Sequence, residues 1–296
     1  LNNWSKREVF LPFKLPIGGK NMKKIKIITD STSYLSKEYA LERDISVIPL
    51  SYTFENETYK EGFPGEFDEF FKRLSESKDF PITSQPSTGD FLKEYEEALN
   101  KYDEIIVLTL SSKLSGTYNN AMLARTMSEE SRITVVDSRQ AASNLKLLVE
   151  EAVDMIEDGK SRDEIINRVA EMEKGMAIYF TVGTLEYLKR GGRLSAVSTV
   201  IGSVLNIKPI IALQNGELEL LEKTRGKNRA VKKMLGLIPS NINQISICHI
   251  LNYDEALSLK SKLIEIFPKA VVTIDEIGPV VGAHLGPETI GVCYSY

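Results

Sequence analysis

The sequence predicts an α/β protein of two domains: an N-terminal domain with a doubly wound, mainly parallel sheet, and a C-terminal α/β domain with a mixed sheet. From Lys24 onward, short β-branched runs alternate with amphipathic helical stretches, as in a parallel sheet with crossover helices. The run 104–110 is almost continuously apolar, as expected for a strand covered on both faces. The pair Asn215-Gly216 between two strand-like runs indicates a β-hairpin, which adds antiparallel pairing to the second domain.

The N-terminal half alternates the two patterns in order. Apolar residues at helical spacing, such as those of 66–75, mark amphipathic helices, and β-branched apolar runs mark strands. We predict strands at 24–29, 46–54, 104–110 and 132–136, and helices at 36–43, 66–75, 91–99 and 140–159.

The regular alternation of strand-like and helical runs changes near Ser161, where we place the domain boundary. The predicted domains are 22–160 and 161–296, with a ligand between and within them. In the second domain we predict helices at 161–174, 227–237 and 254–267, and strands at 176–182, 210–213, 217–222, 244–251, 270–274 and 289–294.

Residues 1–21 do not share this pattern, which begins only at Met22. The stretch Ile17-Gly18-Gly19-Lys20-Asn21 is what a purine-rich ribosome-binding site encodes when translated in frame. We therefore hypothesise that residues 1–21 are a non-native leader or a mis-assigned start.

The amino-acid composition and the net charge argue against several classes of function. A net charge of -4 argues against a nucleic-acid or anionic-membrane surface, and no apolar run approaches the ~20 residues that span a bilayer, so we predict neither nucleic-acid binding nor stable membrane insertion. Two cysteines and two histidines do not resemble a metal cluster, and we predict no metal site. Phosphate-binding glycine loops for ATP or NAD are absent from the sequence, so we expect no cofactor. We expect a cytoplasmic protein.

Four loops are built from hydroxyl-bearing and small residues, at 29–33, 83–87, 111–117 and 282–287. Three precede helix-like sequence, where free backbone N–H groups and the positive end of the helix dipole favour a carboxylate or phosphate. The sequence contains almost none of the motifs that catalysis on such an anion requires. The pattern therefore favours a binding protein with no catalytic residues.

Two of these loops contain hydroxyls beyond those that helix capping requires. Ser87 or Thr88 can cap the following helix, which leaves Thr83 and Ser84 as candidate ligands for the anion. In the first loop Asp30 would repel an anion. Its role is either an ordinary N-cap or the orientation of the neighbouring hydroxyls of Ser31 and Thr32.

Ser115, Gly116 and His284 complete the candidate site. Gly116 permits close approach of the backbone, and His284 is the histidine most exposed to a ligand, since His249 lies in an apolar strand. An esterase or thioesterase that uses Ser115 and His284 is the enzyme alternative, although Ser115 lacks the Gly-x-Ser-x-Gly context of a hydrolase nucleophile. A sensor of a small anion is a third alternative.

Basic residues cluster in the turn 189–193 and again at 223–229. The cluster is either a solvated face or a docking patch for a partner that handles phosphate, where arginine forks are favoured. We select Arg193 and Arg225 as the candidate docking residues.

The loops 29–32, 83–87, 111–117 and 187–195, together with the glycine-rich loop near the C-terminus, resemble in order the motifs of the DegV family of bacterial fatty-acid-binding proteins. The resemblance covers Met22 to Tyr296. It implies a two-domain α/β fold that encloses one long-chain fatty acid, and a separate ATP-dependent fatty acid kinase that makes the acyl-phosphate for phospholipid synthesis. It implies further that Thr83 and Ser115 bind the carboxylate, with His284 in the neighbouring network.

The chain departs from this family pattern at two positions. Glu288 follows Gly286-Pro287, where the family usually has glycine, and Gly183 stands where it usually has an acidic residue. We expect these departures to affect partner coupling or head-group affinity.

Overall fold

The computed structural model describes residues 23–193 and 207–296, so the predicted leader at 1–21 lies outside the described residues. The first half comprises, in chain order, β1 (Ile25–Asp30), α1 (Lys37–Glu42), β2 (Ser46–Ile48), β3 (Ser51–Phe54), β4 (Glu57–Lys60), α2 (Asp68–Glu76), β5 (Ile82–Ser84), α3 (Thr88–Leu99), β6 (Glu104–Thr109), α4 (Thr117–Ser128), β7 (Ile133–Asp137) and α5 (Ala142–Glu157). The second half comprises α6 (Arg162–Lys174), β8 (Ala177–Thr181), α7 (Glu186–Arg190), β9 (Ile207–Gln214), β10 (Glu217–Arg225), α8 (Lys227–Leu235), β11 (Gln244–His249), α9 (Tyr253–Ile266), β12 (Val271–Glu276), α10 (Pro279–Leu285) and β13 (Ile290–Ser295).

Strands β1, β2, β6 and β7 form a parallel sheet in the order β2-β1-β6-β7. Successive strand residues point to opposite faces, so Ile28 and Val107 pack with α3 and α4, whereas Ile27 and Ile106 pack with α5. Both faces of the sheet are therefore covered by helices. This arrangement confirms the predicted doubly wound parallel sheet.

A mixed sheet of six strands has the order β10-β9-β8-β13-β11-β12. Only β11 and β12 run parallel, and the other neighbours are antiparallel. The β9–β10 hairpin turns at Asn215 and Gly216, whose φ angles of 52° and 81° are the left-handed values that this dipeptide accommodates. The predicted mixed sheet and its hairpin are confirmed.

The segment 46–54 differs from the single strand that we predicted. Pro49 has no N–H to continue the β2 ladder, so the chain leaves the parallel sheet and pairs again from Ser51 as β3. Strand β3 is the centre of a small antiparallel sheet with the order β4-β3-β5. This third sheet was not predicted, and its edge strand β5 carries Thr83 and Ser84.

The mixed sheet has two apolar faces, and different layers cover them. Helices α8 and α9 pack on one face through Met234, Leu259 and Leu263. The opposite face packs against α2, α7 and α10. Helix α6 shares a hydrophobic core with α5, so the two helices pack together across the predicted domain boundary at residue 160. The boundary itself stays a proposal. Within the described ranges, no helix combines the length and the apolar character needed to cross a membrane.

Candidate functional site

An apolar cavity lies between the loops at the carboxyl edge of the parallel sheet and the inner face of the mixed sheet. Leu110 and Leu114 line it from the first side, and Phe180 and Leu213 from the second. About 960 Å³ within the cavity, including its open mouth, is free of protein atoms. A cavity of this size suits a small organic ligand.

Polar side chains line this cavity in one cluster. They are Thr83, Ser84, Gln85, Ser115, Arg193 and His284. The remaining wall consists of aliphatic and aromatic side chains, two cysteines and Gly291. The cavity thus combines an apolar body with a single hydrogen-bonding region.

Thr83 and His284 form the centre of the polar cluster. Thr83 Oγ1 lies 2.8 Å from His284 Nε2, which joins β5 to α10. The other ring nitrogen, Nδ1, is buried and has no hydrogen-bond partner among residues 23–193 and 207–296. Burial, reinforced by the positive charge of Arg193, lowers the pKa of His284 to about 4. His284 is therefore neutral near pH 7.

Ser115 lies beside this pair at the start of α4. Its Oγ is 2.9 Å from Thr117 Oγ1 and also accepts a hydrogen bond from the Thr117 backbone N–H. Gly116, the N-cap residue, does not line the cavity itself. A Cβ there would lie 2.5 Å from Gln85 Nε2, so the glycine is what allows the Gln85 amide to reach the cavity wall.

The esterase alternative lacks the required geometry. The hydroxyl of Ser115 pairs with Thr117, and the imidazole of His284 pairs with Thr83, so these two side chains do not form a nucleophile–base pair. No carboxylate contacts His284 Nδ1 in the described part of the chain. Over the same residues, no group of three or more His, Cys, Asp or Glu side chains is arranged to hold a metal ion.

The loop after β1 is hydrogen-bonded to two residues that line the cavity. Asp30 accepts hydrogen bonds from the Thr32 N–H, the Thr32 hydroxyl and the Leu110 N–H, and Ser31 Oγ accepts from the Leu50 N–H at 3.1 Å. Leu50 and Leu110 line the cavity, whereas Asp30, Ser31 and Thr32 do not. A role for this loop in positioning the cavity wall stays a proposal.

Glu61 is a site-supporting residue that the sequence analysis missed. Its carboxylate accepts a 2.5 Å hydrogen bond from Ser31 Oγ and a 2.8 Å hydrogen bond from the Val280 N–H in the first turn of α10. The carboxylate therefore ties the loop after β1 to the helix that carries His284. No local pattern marks this role, because the contact to Val280 spans 219 residues.

The two candidate docking arginines differ in their positions. Arg193 is half-buried at the cavity and donates hydrogen bonds to the carbonyl oxygens of Leu114 and Gly191. Arg225 ends β10 and is exposed. Only Arg225 is therefore free of the cavity wall, and the partner-docking role of both stays a proposal.

The family model that matches this chain is described as "uncharacterised protein, DegV family", and it covers residues 24–296. The chain belongs to the DegV family. Protein DegV of Bacillus subtilis is 32% identical over 278 residues, which cover 92% of this chain and 99% of that protein. A DegV domain-containing protein of Caldanaerobacter subterraneus is 34% identical over 284 residues, with 92% and 99% covered.

Solved structures of similar proteins share the fold. DegV from Bacillus subtilis, described as a fatty acid binding protein, superposes with a TM-score of 0.85 at 31% identity, covering 93% of this chain and 99% of its own. A DegV family protein from Thermus thermophilus, described for its fatty acid binding, gives 0.84 at 30% identity, with 92% and 100% covered. A stearic acid-binding protein from Eubacterium ventriosum gives 0.82 at 28% identity, with 92% and 98% covered.

Gly183 and Glu288, the two positions that the resemblance marks as departures, lie next to each other. A Cβ at Gly183 would lie 2.8 Å from the Pro287 carbonyl oxygen and 3.3 Å from Glu288 Oε2. Glu288 has a φ of 62°, the left-handed region in which glycine carries no Cβ penalty. The carboxylate of Glu288 thus occupies space beside the position where a side chain at 183 would begin.

Replacement of Glu61 by glutamine should change how stability depends on pH. Burial raises the pKa of Glu61 to about 7, helped by the charge of Asp30, whose own pKa burial raises to about 6. The folded protein therefore holds the Glu61 proton more tightly than the unfolded chain, and stability falls as pH rises from about 4.5 through 7. Glu61→Gln should gain stability over wild type across this window, on the order of 3 kcal/mol at the upper end.

Urea unfolding of both proteins from pH 4 to pH 8 measures this difference. The comparison with wild type separates Glu61 from His284, whose lowered pKa gives the opposite slope. Glu38 is an exposed glutamate in α1, and Glu38→Gln serves as the matched control. Its free energy of unfolding should differ from that of wild type by the same amount at every pH. A wild-type-minus-Glu61→Gln difference that stays constant with pH would show that Glu61 does not titrate in the folded protein.

Proposed function

We propose that this DegV protein binds one long-chain fatty acid without catalysing a reaction on it, and presents the carboxylate to a separate ATP-dependent fatty acid kinase. The observation that carries the proposal is an apolar cavity whose polar side chains converge in one cluster. A small anion alone would leave the apolar wall unfilled. The fatty acids named for its DegV relatives are molecules of this shape.

In this proposal Thr83, Ser84, Ser115, Gly116 and His284 bind the carboxylate. If His284 Nε2–H donates to Thr83 Oγ1, the Thr83 hydroxyl proton is free to donate to a carboxylate oxygen. Gly116 is the N-cap of α4 and has no side chain to cap the helix, and Ser115 Oγ accepts only the Thr117 N–H, so the positive end of the helix dipole favours an anion there. The guanidinium of Arg193 adds positive charge at the same end of the cavity.

The apolar wall supplies most of the binding free energy in this proposal. A tail of roughly fifteen methylenes, each contributing about 0.8 kcal/mol on burial, gives a favourable free energy of burial of about 12 kcal/mol. The entropic cost of ordering the ligand and the side chains reduces this value. Hydrogen bonds at the head group then orient the acid, because a buried carboxylate without donors would be strongly disfavoured. The head group determines orientation and the tail determines affinity.

The kinase part of the proposal follows from the nature of the head-group loops. The sequence contains no phosphate-cradling glycine loop, so ATP has to arrive on another protein. A carboxylate held at the cavity's polar end is the group that a kinase would phosphorylate to an acyl-phosphate. Exposed Arg225 is the candidate contact for that partner.

Removal of the head-group hydroxyls should weaken fatty-acid binding. Thr83→Val keeps the shape of the side chain and loses its hydroxyl, and Ser115→Ala loses a second donor. Each should raise the Kd of delipidated protein for palmitic acid by roughly 5- to 150-fold, which corresponds to about 1–3 kcal/mol for an unpaired buried charge. Isothermal titration calorimetry measures the change.

Ser112→Ala is the matched control, because Ser112 belongs to the same loop as Ser115 and its side chain does not line the cavity. Its affinity should equal that of wild type, and all variants should stay folded when delipidated, although Thr83→Val and Ser115→Ala each lose a hydrogen bond of the folded protein. Wild-type affinity in the Thr83→Val/Ser115→Ala double variant would remove both residues from the head-group site.

Charge reversal at Arg225 should separate partner docking from lipid binding. Arg225→Glu should bind palmitic acid normally, whereas acyl-phosphate formation with a cognate kinase should fall at least tenfold and become more sensitive to salt. Arg193→Glu should also weaken lipid binding, because Arg193 lines the cavity.

Arg132→Glu makes the same charge change at the start of β7, on the amino edge of the parallel sheet, away from the cavity. A coupled kinase assay at two salt concentrations compares the variants. Equal rates of acyl-phosphate formation for Arg225→Glu and Arg132→Glu would mean that Arg225 lies on a solvent-exposed surface that does not contact the kinase.

A further inference from the structure

Two free thiols lie side by side on the apolar wall of the cavity. Cys248 on β11 and Cys293 on β13 are on neighbouring antiparallel strands, and their sulfur atoms are 3.4 Å apart. Both line the cavity. A ligand tail in the cavity would therefore contact sulfur as well as hydrocarbon, although an aliphatic wall would serve a saturated tail as well.

A chain of polar groups lies behind Cys248. Ser143 Oγ is 3.0 Å from Cys248 Sγ and 2.7 Å from Asp275 Oδ2, and Lys146 Nζ donates to Asp275 Oδ1 at 2.9 Å. Since the carboxylate accepts the Ser143 hydroxyl proton, a lone pair of Ser143 Oγ faces the Cys248 thiol. The thiol proton of Cys248 thus has a path through Ser143 to Asp275.

The two thiols are not equivalent. Cys293 lies next to Cys248 and is fully buried, and its hydrogen bond to Cys248, together with burial, raises the pKa of Cys293 well above its usual range. Cys293 therefore stays protonated and donates its S–H to Cys248 Sγ. The hydrogen bonds that Cys248 Sγ shares with Cys293 and Ser143 therefore distinguish Cys248 as the sulfur with a path for its proton.

We propose that Cys248 is a covalent capture site for electrophilic unsaturated fatty acids, namely acids whose tail carries a carbon–carbon double bond conjugated to a ketone. The inference rests on the proposed function, because the fatty acid delivers the electrophile to a thiol that is buried everywhere except at the cavity. Capture would retain an oxidised, unsaturated acid in the protein, whereas a saturated acid binds reversibly.

The reaction is a conjugate addition and needs no oxidant or reductant. The Cys248 sulfur bonds to the β carbon of the enone as the carbon–carbon π bond breaks. The thiol proton leaves through Ser143 to Asp275. The α carbon takes a proton from the neighbouring Cys293 thiol, which also lines the cavity, and proton exchange with solvent restores that thiol and the Asp275 carboxylate. The product contains every atom of the thiol and of the acid.

The test uses delipidated full-length protein and octadecenoic acids with an enone near the carboxyl end, at mid-chain or near the methyl end. Intact-mass spectrometry should show one equivalent of adduct with at least one isomer, and peptide mapping should place it on Cys248. Excess octadecanoic acid should block the adduct. Cys248→Ala should lose it while still binding octadecanoic acid, and Cys293→Ala should keep it at a lower rate.

Three outcomes would overturn the inference while leaving fatty-acid binding intact: octadecanoic acid binds but no isomer forms an adduct, the adduct maps to Cys293, or cyclohexenone alkylates Cys248 as fast as the long acids do. Failure of octadecanoic acid to bind wild-type protein would overturn both the inference and the proposed function. A Cys248→Ser variant provides the comparison if Cys248→Ala fails to fold.

Discussion

The site depends on one apolar face of the mixed sheet that helices do not fully cover. Helices α8 and α9 close the outer face, while the inner face meets the loops that leave the carboxyl edge of the parallel sheet. Small residues leave room between the two, because Ala141, Ala142 and Gly291 line the cavity with little or no side chain. The cavity is the space that remains between these layers.

Buried polar groups connect the segments that form the walls of the cavity. Asp30 binds the backbone of Leu110, Ser31 binds the backbone of Leu50, and Glu61 connects that loop to α10. Burial of two carboxyl groups is unfavourable when they are charged, which is why their pKa values rise to about 6 and about 7. The hydrogen bonds from backbone and hydroxyl donors offset part of that cost and specify how the layers meet.

Local features of the fold and of the site could be predicted from the sequence. Strand and helix periodicity and the Asn215-Gly216 turn depend on neighbouring residues, and the excess of hydroxyls at Thr83 and Ser84 is visible without the fold. The third sheet could not be predicted from the apolar run 46–54, because the change of sheet depends on where β3 finds its partners. Glu61 was missed for a similar reason, since its function lies entirely in contacts distant in sequence.

The position of the acid within the cavity is the central claim, and a crystal structure with a long-chain acid brominated at its terminal carbon tests it most directly. The carboxylate should lie within hydrogen-bonding distance of Thr83 Oγ1 and Ser115 Oγ, about 2.5–3.0 Å. The anomalous signal of the bromine should fall between the mixed sheet and the loops of the parallel sheet. A carboxylate bound elsewhere, or a bromine outside the cavity, would contradict the account.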